Sequence, residues 1–137
     1  MRILAVDPGD KNIGLAISDP TGTIANPLGV LHHIRRETDA QRIFQIAIEN
    51  QIECIIIGLA TDDEGAPSYQ GRKAVRLMEM LKTITVIPVV LWDESGSTNI
   101  AKQAHIEMGR SRQKRKGHLD SIAATIILQT YLDSIER

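Results

Sequence analysis

The run CIIIGL, from Cys54 to Leu59, places apolar and β-branched residues in succession with no polar alternation. A run of this kind is typical of a strand that is covered on both faces, as in parallel sheets. Segments with apolar residues at helical spacing flank it: DAQRIFQIAIENQ before it, with Thr38 or Asp39 as N-cap, and Ser68 to Lys82 after it. This order predicts an α/β fold in which helices connect parallel strands by right-handed crossovers.

The remaining apolar runs complete the predicted sheet. RILAVD and NIGLAIS, joined by the turn-like PGDK, predict a hairpin, and Thr23 to His33 predicts a third strand. Thr85 to Trp92 predicts a further buried strand, with Pro88 as an irregularity. Helices are expected at 97–108 and at Leu119 to Ile135. We therefore expect a mixed sheet of about five strands, a three-stranded antiparallel meander plus parallel strands, flanked by helices on both faces.

Length and composition indicate one domain, spanning residues 1–137. A chain of 137 residues with 42% hydrophobic residues is long enough for one compact core. Cys54 is the single cysteine, which excludes a disulfide within the chain and favours a reducing compartment. No apolar stretch approaches the roughly 20 residues of a membrane helix. We expect a soluble, cytoplasmic protein without a membrane partner.

The positive charge of the chain is concentrated in RSRQKRK, residues 110–116. This run holds five of the 16 Lys and Arg, so 11 face 17 acidic residues in the rest of the chain, a net charge of about −6. Such a segment is either a solvated loop or a contact for a polyanion. Its five candidate contacts are Arg110, Arg112, Lys114, Arg115 and Lys116.

Carboxylates follow the apolar runs at widely separated places in the sequence. Asp7 ends the first predicted strand, Asp93 and Glu94 end the last, and Asp120 lies near the start of the final helix. Each has an ordinary role available, as a turn former, a loop acid or a first-turn helix acid. Ligands of open α/β sheets bind beyond the strand ends, however, where these residues would meet. Since side chains alternate along a strand, Asp93 and Glu94 cannot both point into one cleft.

A set of carboxylates with a basic run nearby suits one chemistry well. Mg²⁺ or Mn²⁺ takes oxygen ligands, and two such ions about 4 Å apart can hydrolyse a phosphodiester by activating water and stabilising the leaving oxygen. Lys and Arg contacts to phosphates supply affinity that does not depend on base sequence. The combination predicts a metal-dependent nuclease acting on nucleic acid.

The sequence resembles the YqgF (RuvX) family over essentially its whole length. The matching blocks are RILAVDPGDKNIGLAISDPTG, IIIGLATDDEG, VIPVVLWDE and KRKGHLDSIAATIILQTYLD, in this order. The resemblance implies a ribonuclease H-like fold and a metal-dependent nuclease, described in the family as a pre-16S rRNA nuclease or a junction resolvase. It implies Asp7, Glu94 and Asp120 as catalytic residues and metal ligands. Asp93, which also follows the last predicted strand, is the second choice as a metal ligand. It also matches Lys114 to Lys116 to the family's basic segment.

Two positions depart from the family pattern. Asp10 stands where Ser or Thr is usual, and its negative charge either recruits a cation or is paired with Lys11, a further candidate contact to nucleic acid. Ser95 stands where the family usually has an Arg, which removes one phosphate contact.

Four alternatives stay open from the sequence. The substrate is either a structured RNA precursor, in processing of the 5′ end of pre-16S rRNA, or branched DNA, in recombination. The protein is either an active nuclease or a noncatalytic nucleic-acid-binding member of the family. The metal is Mg²⁺ or Mn²⁺, in a two-metal site. The chain acts as a monomer or as a homodimer.

Overall fold

A computed structural model describes residues 1–61, 63–93 and 116–135, without the side chains of 116–120. Its strands are β1 (Ile3–Pro8), β2 (Asn12–Ser18), β3 (Ala25–His32), β4 (Cys54–Leu59) and β5 (Val89–Asp93). Its helices are α1 (Arg36–Glu49), α2 (Tyr69–Ile84) and α3 (Lys116–Ile135). The sheet order is β3-β2-β1-β4-β5, with β3, β2 and β1 antiparallel and β1, β4 and β5 parallel. This confirms the predicted mixed sheet.

The sheet is covered on both faces, and side-chain alternation assigns each residue to one of them. In β1, Leu4 and Val6 pack with buried residues of α1 and α2, whereas Ile3 and Ala5 pack with buried residues of α3. We call these the α1/α2 face and the α3 face. The run CIIIGL behaves as predicted, since its isoleucines, which have no exposed surface, divide between the two faces.

The predicted start of α1 was wrong, for a physical reason. The helix begins at Arg36, with Arg35 as N-cap and no side-chain cap hydrogen bond, rather than with Thr38 or Asp39 as cap. Asp39 lies inside the helix with its side chain only 3% exposed, and it accepts a hydrogen bond from the backbone N–H of Ile34 at 3.1 Å. Asp39 therefore satisfies a backbone donor ahead of the helix from within the first turns.

Other helix and strand boundaries differ from the predicted ones by a few residues. β5 begins at Val89 rather than Thr85, because the segment before it makes local contacts: the N–H of Ile87 donates to Oγ1 of Thr85 at 3.0 Å. In α2, Ser68 is the N-cap and accepts from the N–H of Gly71. α3 includes Lys116, which the sequence placed in a loop, so Asp120 is its fifth residue. The helix predicted at 97–108 lies outside the described residues.

Candidate functional site

Asp7 lies near the carboxyl end of β1, at the centre of the sheet. Since Ile3 and Ala5 contact the α3 core, alternation places the Asp7 side chain on the α3 face. Its partner across the antiparallel pair is Gly14 of β2. On the other side, β4 pairs Ile57 with Val6, so the next residue along, Gly58, is level with Asp7. A half-buried carboxylate thus stands between two residues that have no side chain.

The N-terminal part of α3 lies over the same end of the sheet. Ser121 is buried, and its hydroxyl donates to the backbone carbonyl of Leu15 at 3.2 Å. Leu15 is the neighbour of Gly14, which pairs with Asp7. The backbone position of Asp120, one residue before Ser121, is therefore on the face to which Asp7 points. The side chain of Asp120 is outside the described part of the structure.

Asp93 lies on the other side of the sheet from Asp7. Trp92 packs with the α3 core, where its Nε1 donates to Oγ1 of Thr130 at 2.9 Å and its ring meets that of Tyr131 edge to face, with centroids 5.1 Å apart. Leu91 packs with the core of the α1/α2 face. Alternation along β5 then assigns Asp93, its last residue, to the α1/α2 face.

Glu94 and four residues of the basic run lie outside the described residues: Arg110, Arg112, Lys114 and Arg115. Lys116 is the first residue of α3, four positions before Asp120. Lys11 lies exposed in the β1–β2 turn, and its carbonyl accepts from the N–H of His33 at 2.8 Å. The triad of Asp7, Glu94 and Asp120 therefore stays a prediction.

The extra carboxylate in the β1–β2 turn is paired from a distant part of the chain, not by its neighbour Lys11. The ammonium of Lys73 in α2 forms a salt bridge with Asp10, and Nε2 of Gln70 donates to the same carboxylate at 3.2 Å. Hydrogen bonding from Lys73, then from Gln70, lowers the pKa of Asp10 below its usual value. The charge of Asp10 is thus engaged by α2.

A second polar cluster, which the sequence analysis did not predict, lies on the α1/α2 face, near the same end of the sheet as the β1–β2 turn. Nδ1 of His33 pairs with the carboxylate of Asp39, whose other oxygen is 3.6 Å from a guanidinium nitrogen of Arg42. No local pattern indicated the contact, because it depends on how α1 packs after β3.

Two features are absent from the described part of the chain. Within residues 1–61, 63–93 and 116–135, no three or more His, Cys, Asp or Glu side chains are grouped so as to hold a metal ion. In that same part of the chain, no helix has the length and apolar character needed to span a membrane.

Comparison with known proteins gives the family. Residues 1–134 match the family described as RuvX, Holliday junction resolvase. The chain belongs to the RuvX family. One relative, from Thermoanaerobacter pseudethanolicus, is 45% identical over 98% of this chain and 97% of its own length, and one from Clostridium novyi is 41% identical over 98% and 100%. Both are named "Putative pre-16S rRNA nuclease".

Solved structures show the fold of this RuvX family member. RuvC of Thermus thermophilus, in complex with a Holliday junction substrate, has a TM-score of 0.61 at 17% identity, covering 98% of this chain and 94% of its own. The Fowlpox virus resolvase, in complex with junction DNA, has a TM-score of 0.59 at 14% identity, covering both chains fully. The fold is therefore the ribonuclease H-like fold that the sequence resemblance implied.

Proposed function

We propose that this RuvX family member is a divalent-metal-dependent endonuclease that cuts structured nucleic acid, with pre-16S rRNA as its substrate. The observation that carries the proposal is the position of Asp7: a half-buried carboxylate at the carboxyl end of the central strand, on the face over which α3 begins. The choice of pre-16S rRNA as substrate is supported by the names of two relatives at 41–45% identity.

The described part of the site suits a hard divalent cation. Carboxylate oxygen is the ligand that Mg²⁺ and Mn²⁺ prefer, and the positions level with Asp7 on both neighbouring strands are glycines. Asp7, Glu94 and Asp120 would hold the metal. When bound, it supplies the positive charge that activates the attacking water and stabilises the leaving oxygen.

The rest of the chain would bind and orient the substrate. Lys114, Arg115 and Lys116 would contact backbone phosphates, with Arg110, Arg112 and Lys11 extending the contact surface. Lys116 is the first residue of the helix that carries Asp120. One candidate phosphate contact and one candidate metal ligand therefore lie on the same element. Loss of each phosphate contact should lower the slope of log affinity against log salt by about 0.9 on duplex DNA.

The face on which Asp93, the last residue of β5, lies ranks it against Glu94 as a metal ligand. Asp93 belongs to the α1/α2 face, away from Asp7, which favours Glu94 as the ligand over Asp93. Asp7→Asn and Asp93→Asn form a matched pair, because each replaces one carboxylate by an isosteric amide near a strand end. We expect Asp7→Asn to abolish cleavage and Mn²⁺ binding by calorimetry, and Asp93→Asn to retain both.

The cleavage assay should offer a labelled pre-16S RNA fragment and a four-way DNA junction, each with Mg²⁺, Mn²⁺ or EDTA. We expect cutting of the RNA that requires a divalent ion. Cutting of the junction alone would instead make branched DNA the substrate, as the family description and the junction-bound structures suggest. Unchanged cleavage by Asp7→Asn would refute the catalytic assignment, and binding without cleavage of either substrate would indicate a noncatalytic member. If Asp93→Asn loses metal while Glu94→Gln keeps it, the ranking of these two acids is reversed.

A further inference from the structure

A cavity of about 410 Å³ opens on the α1/α2 face, at the end of the sheet where β1 ends with Asp7 and Pro8. Pro8, the last residue of β1, and Gly9 of the β1–β2 turn contribute to its wall, and Pro8 directly follows Asp7 in the chain. The other walls come from the segment between β3 and α1, from the start of α1 and from the first half of α2. Their ionisable members are His33, Arg35, Arg36, Glu37, Asp39, Lys73 and Arg76.

The acidic side chains of this cavity are engaged by cations. Glu37 is 3.8 Å from Nε of Arg35. Asp39 pairs with His33 and lies 3.6 Å from Arg42, which is outside the cavity. The other cations of the wall are Arg36, Lys73 and Arg76.

Two arginines of the cavity have no ion pair in the described part of the chain. Lys73 is paired with Asp10, but Arg36 at the start of α1 and Arg76 in α2 make no salt bridge within residues 1–61, 63–93 and 116–135. Both are exposed to solvent at the cavity. Guanidinium groups present several donors in one plane and bind phosphate oxygens in pairs. The cavity therefore has positive charge that no acidic side chain among the described residues neutralises.

The buried carboxylate of Asp39 fixes the position of the His33 side chain in the cavity wall. The Asp39 side chain is 3% exposed and binds both Nδ1 of His33 and the N–H of Ile34, whereas the His33 side chain is 41% exposed. A carboxylate that holds one ring nitrogen sets the orientation of the ring and leaves Nε2 as the nitrogen available to a ligand. The start of α1, whose N-cap Arg35 has no side-chain hydrogen bond, adds backbone N–H groups favourable to an anion.

We propose that this cavity binds a phosphate group, with Arg36 and Arg76 as its charged partners and His33 as a hydrogen-bonding side chain. Asp7 and Gly9 are two residues apart, about 7 Å along an extended chain. A nucleic-acid strand held at Asp7 can thus cross the β1–β2 turn and place a backbone phosphate in the cavity. In this form the inference rests on the proposed function; a free nucleotide could bring the same phosphate chemistry.

The test compares two double variants that remove equal charge. Arg36→Gln with Arg76→Gln removes the unpaired cavity cations. Arg72→Gln with Lys82→Gln removes two cations of α2 that do not line the cavity; Arg72 lies over the ring of Tyr69, 5.7 Å from its centroid. The probes are a labelled pre-16S RNA fragment, a labelled four-way DNA junction and labelled AMP. Binding is measured by fluorescence anisotropy in EDTA over a series of salt concentrations.

We expect the cavity variant to bind the nucleic-acid probes at least tenfold more weakly at low salt. Its log–log salt slope on the junction should fall by about 0.9 for each lost contact, while the control variant shows a smaller change. Loss of AMP binding in the cavity variant alone, with nucleic-acid binding equal to the control, would identify a free nucleotide as the source of the phosphate. Equal behaviour of the two variants toward every probe overturns the proposal.

Failure of this inference is separable from failure of the proposed function, because binding in EDTA does not depend on cleavage. If Asp7→Asn abolishes cleavage and the cavity variant binds like the control, only the cavity assignment fails. If the cavity variant binds weakly and Asp7→Asn still cleaves, only the catalytic assignment fails. Circular dichroism of each variant verifies folding, and the single Arg76→Lys variant should recover part of the affinity lost in Arg76→Gln.

Discussion

Asp19 organises the turn between β2 and β3. One carboxylate oxygen accepts from the N–H groups of Thr23 and Ile24, at 2.8 and 2.9 Å, and the other accepts from the hydroxyl of Thr21. These donors, with the backbone of Ile24 contributing most, hold the pKa of Asp19 well below its usual value. The ionised form is therefore the one that the folded turn selects.

This lowered pKa predicts a pH dependence of stability. Because the folded pKa lies below the unfolded value of about 3.9, the contribution of Asp19 is complete well above that value and is lost as the pH falls through and below it. We expect Asp19→Ala to be less stable than the wild type at pH 7, and the difference to shrink at pH 3. Urea unfolding of both proteins at the two pH values measures it. A difference that does not change with pH would show that charge at Asp19 is unimportant.

Gly71, in the first turn of α2, is required for a close approach of helix and loop. A Cβ at this position would lie 2.1 Å from the carbonyl oxygen of Ala60. That oxygen is held in place, since it accepts from both the N–H and the hydroxyl of Ser68, at 3.0 and 3.1 Å. The backbone atoms therefore have little freedom to move apart.

We expect Gly71→Ala to lower the free energy of unfolding by about 1–3 kcal/mol, as overpacking does elsewhere, although alanine is the better helix former. The matched control is Glu79→Ala, at an exposed position of the same helix. Chemical denaturation of both variants measures the effect. A Gly71→Ala protein as stable as the wild type would mean that α2 can shift away from Ala60 without cost.

At the scale of elements, α3 is attached to the sheet by polar contacts as well as by its apolar side. The amide of Gln129 accepts from the N–H of Ala25 at 2.9 Å and donates to the carbonyl of Thr23 at 3.1 Å. This one side chain thus satisfies two backbone groups at the start of the edge strand β3. Its contact joins residues more than 100 positions apart in the chain.

Removing this contact should loosen the start of β3. We expect Gln129→Ala to cost about 1–3 kcal/mol, because it leaves polar backbone groups without their partner. Gln129→Glu keeps an acceptor for Ala25 but loses the donor to Thr23 and places its charge beside the Asp133 carboxylate, so it should also destabilise the protein. Gln45→Ala is the control, since the bond that the Gln45 side chain donates within the described part of the chain goes to Glu49, on the exposed side of α1. Hydrogen exchange of the Ala25 amide measures the effect, and unchanged protection in Gln129→Ala would contradict it.

At the scale of the whole molecule, two apolar cores share one sheet. Ile56 belongs to the core on the α3 face and Ile57 to the core on the α1/α2 face, and neither has exposed surface. Both residues lie on β4, so neither core can form fully while the central strands are unpaired. The two cores are therefore expected to unfold together.

This coupling is testable with the single tryptophan. Trp92 packs with the α3 core, so its fluorescence reports that face, while far-UV circular dichroism reports all helices. We expect Ile56→Ala and Ile57→Ala each to cost about 2–5 kcal/mol, with both probes giving one midpoint in each variant. Separate midpoints for fluorescence and circular dichroism in either variant would show that the cores are independent.

Local patterns in the chain were enough to predict most of the framework. Apolar periodicity and turn residues placed every described strand and helix, because burial on one or two faces imposes its own spacing on the sequence. Boundaries were predicted less well where a side chain binds the backbone just outside an element: Asp39 accepts from the N–H of Ile34 ahead of α1, and Thr85 accepts from the N–H of Ile87 ahead of β5. The order of carboxylates at strand ends was also visible, and with it the location of Asp7.

By itself the sequence determined the order of the elements, the covered central strand and the carboxylates at the strand ends, since these follow from hydrophobic spacing and residue type. Only the tertiary structure decided which face each acid occupies. Asp7 and Asp93 were equivalent as strand-end acids until the packing of α3 against one face separated them. In the same way, Asp10 is paired with Lys73 because folding brings α2 beside the β1–β2 turn. His33 is paired with Asp39 because α1 packs beside the segment that follows β3. Contacts between elements depend on packing of the whole sheet, which no local segment records.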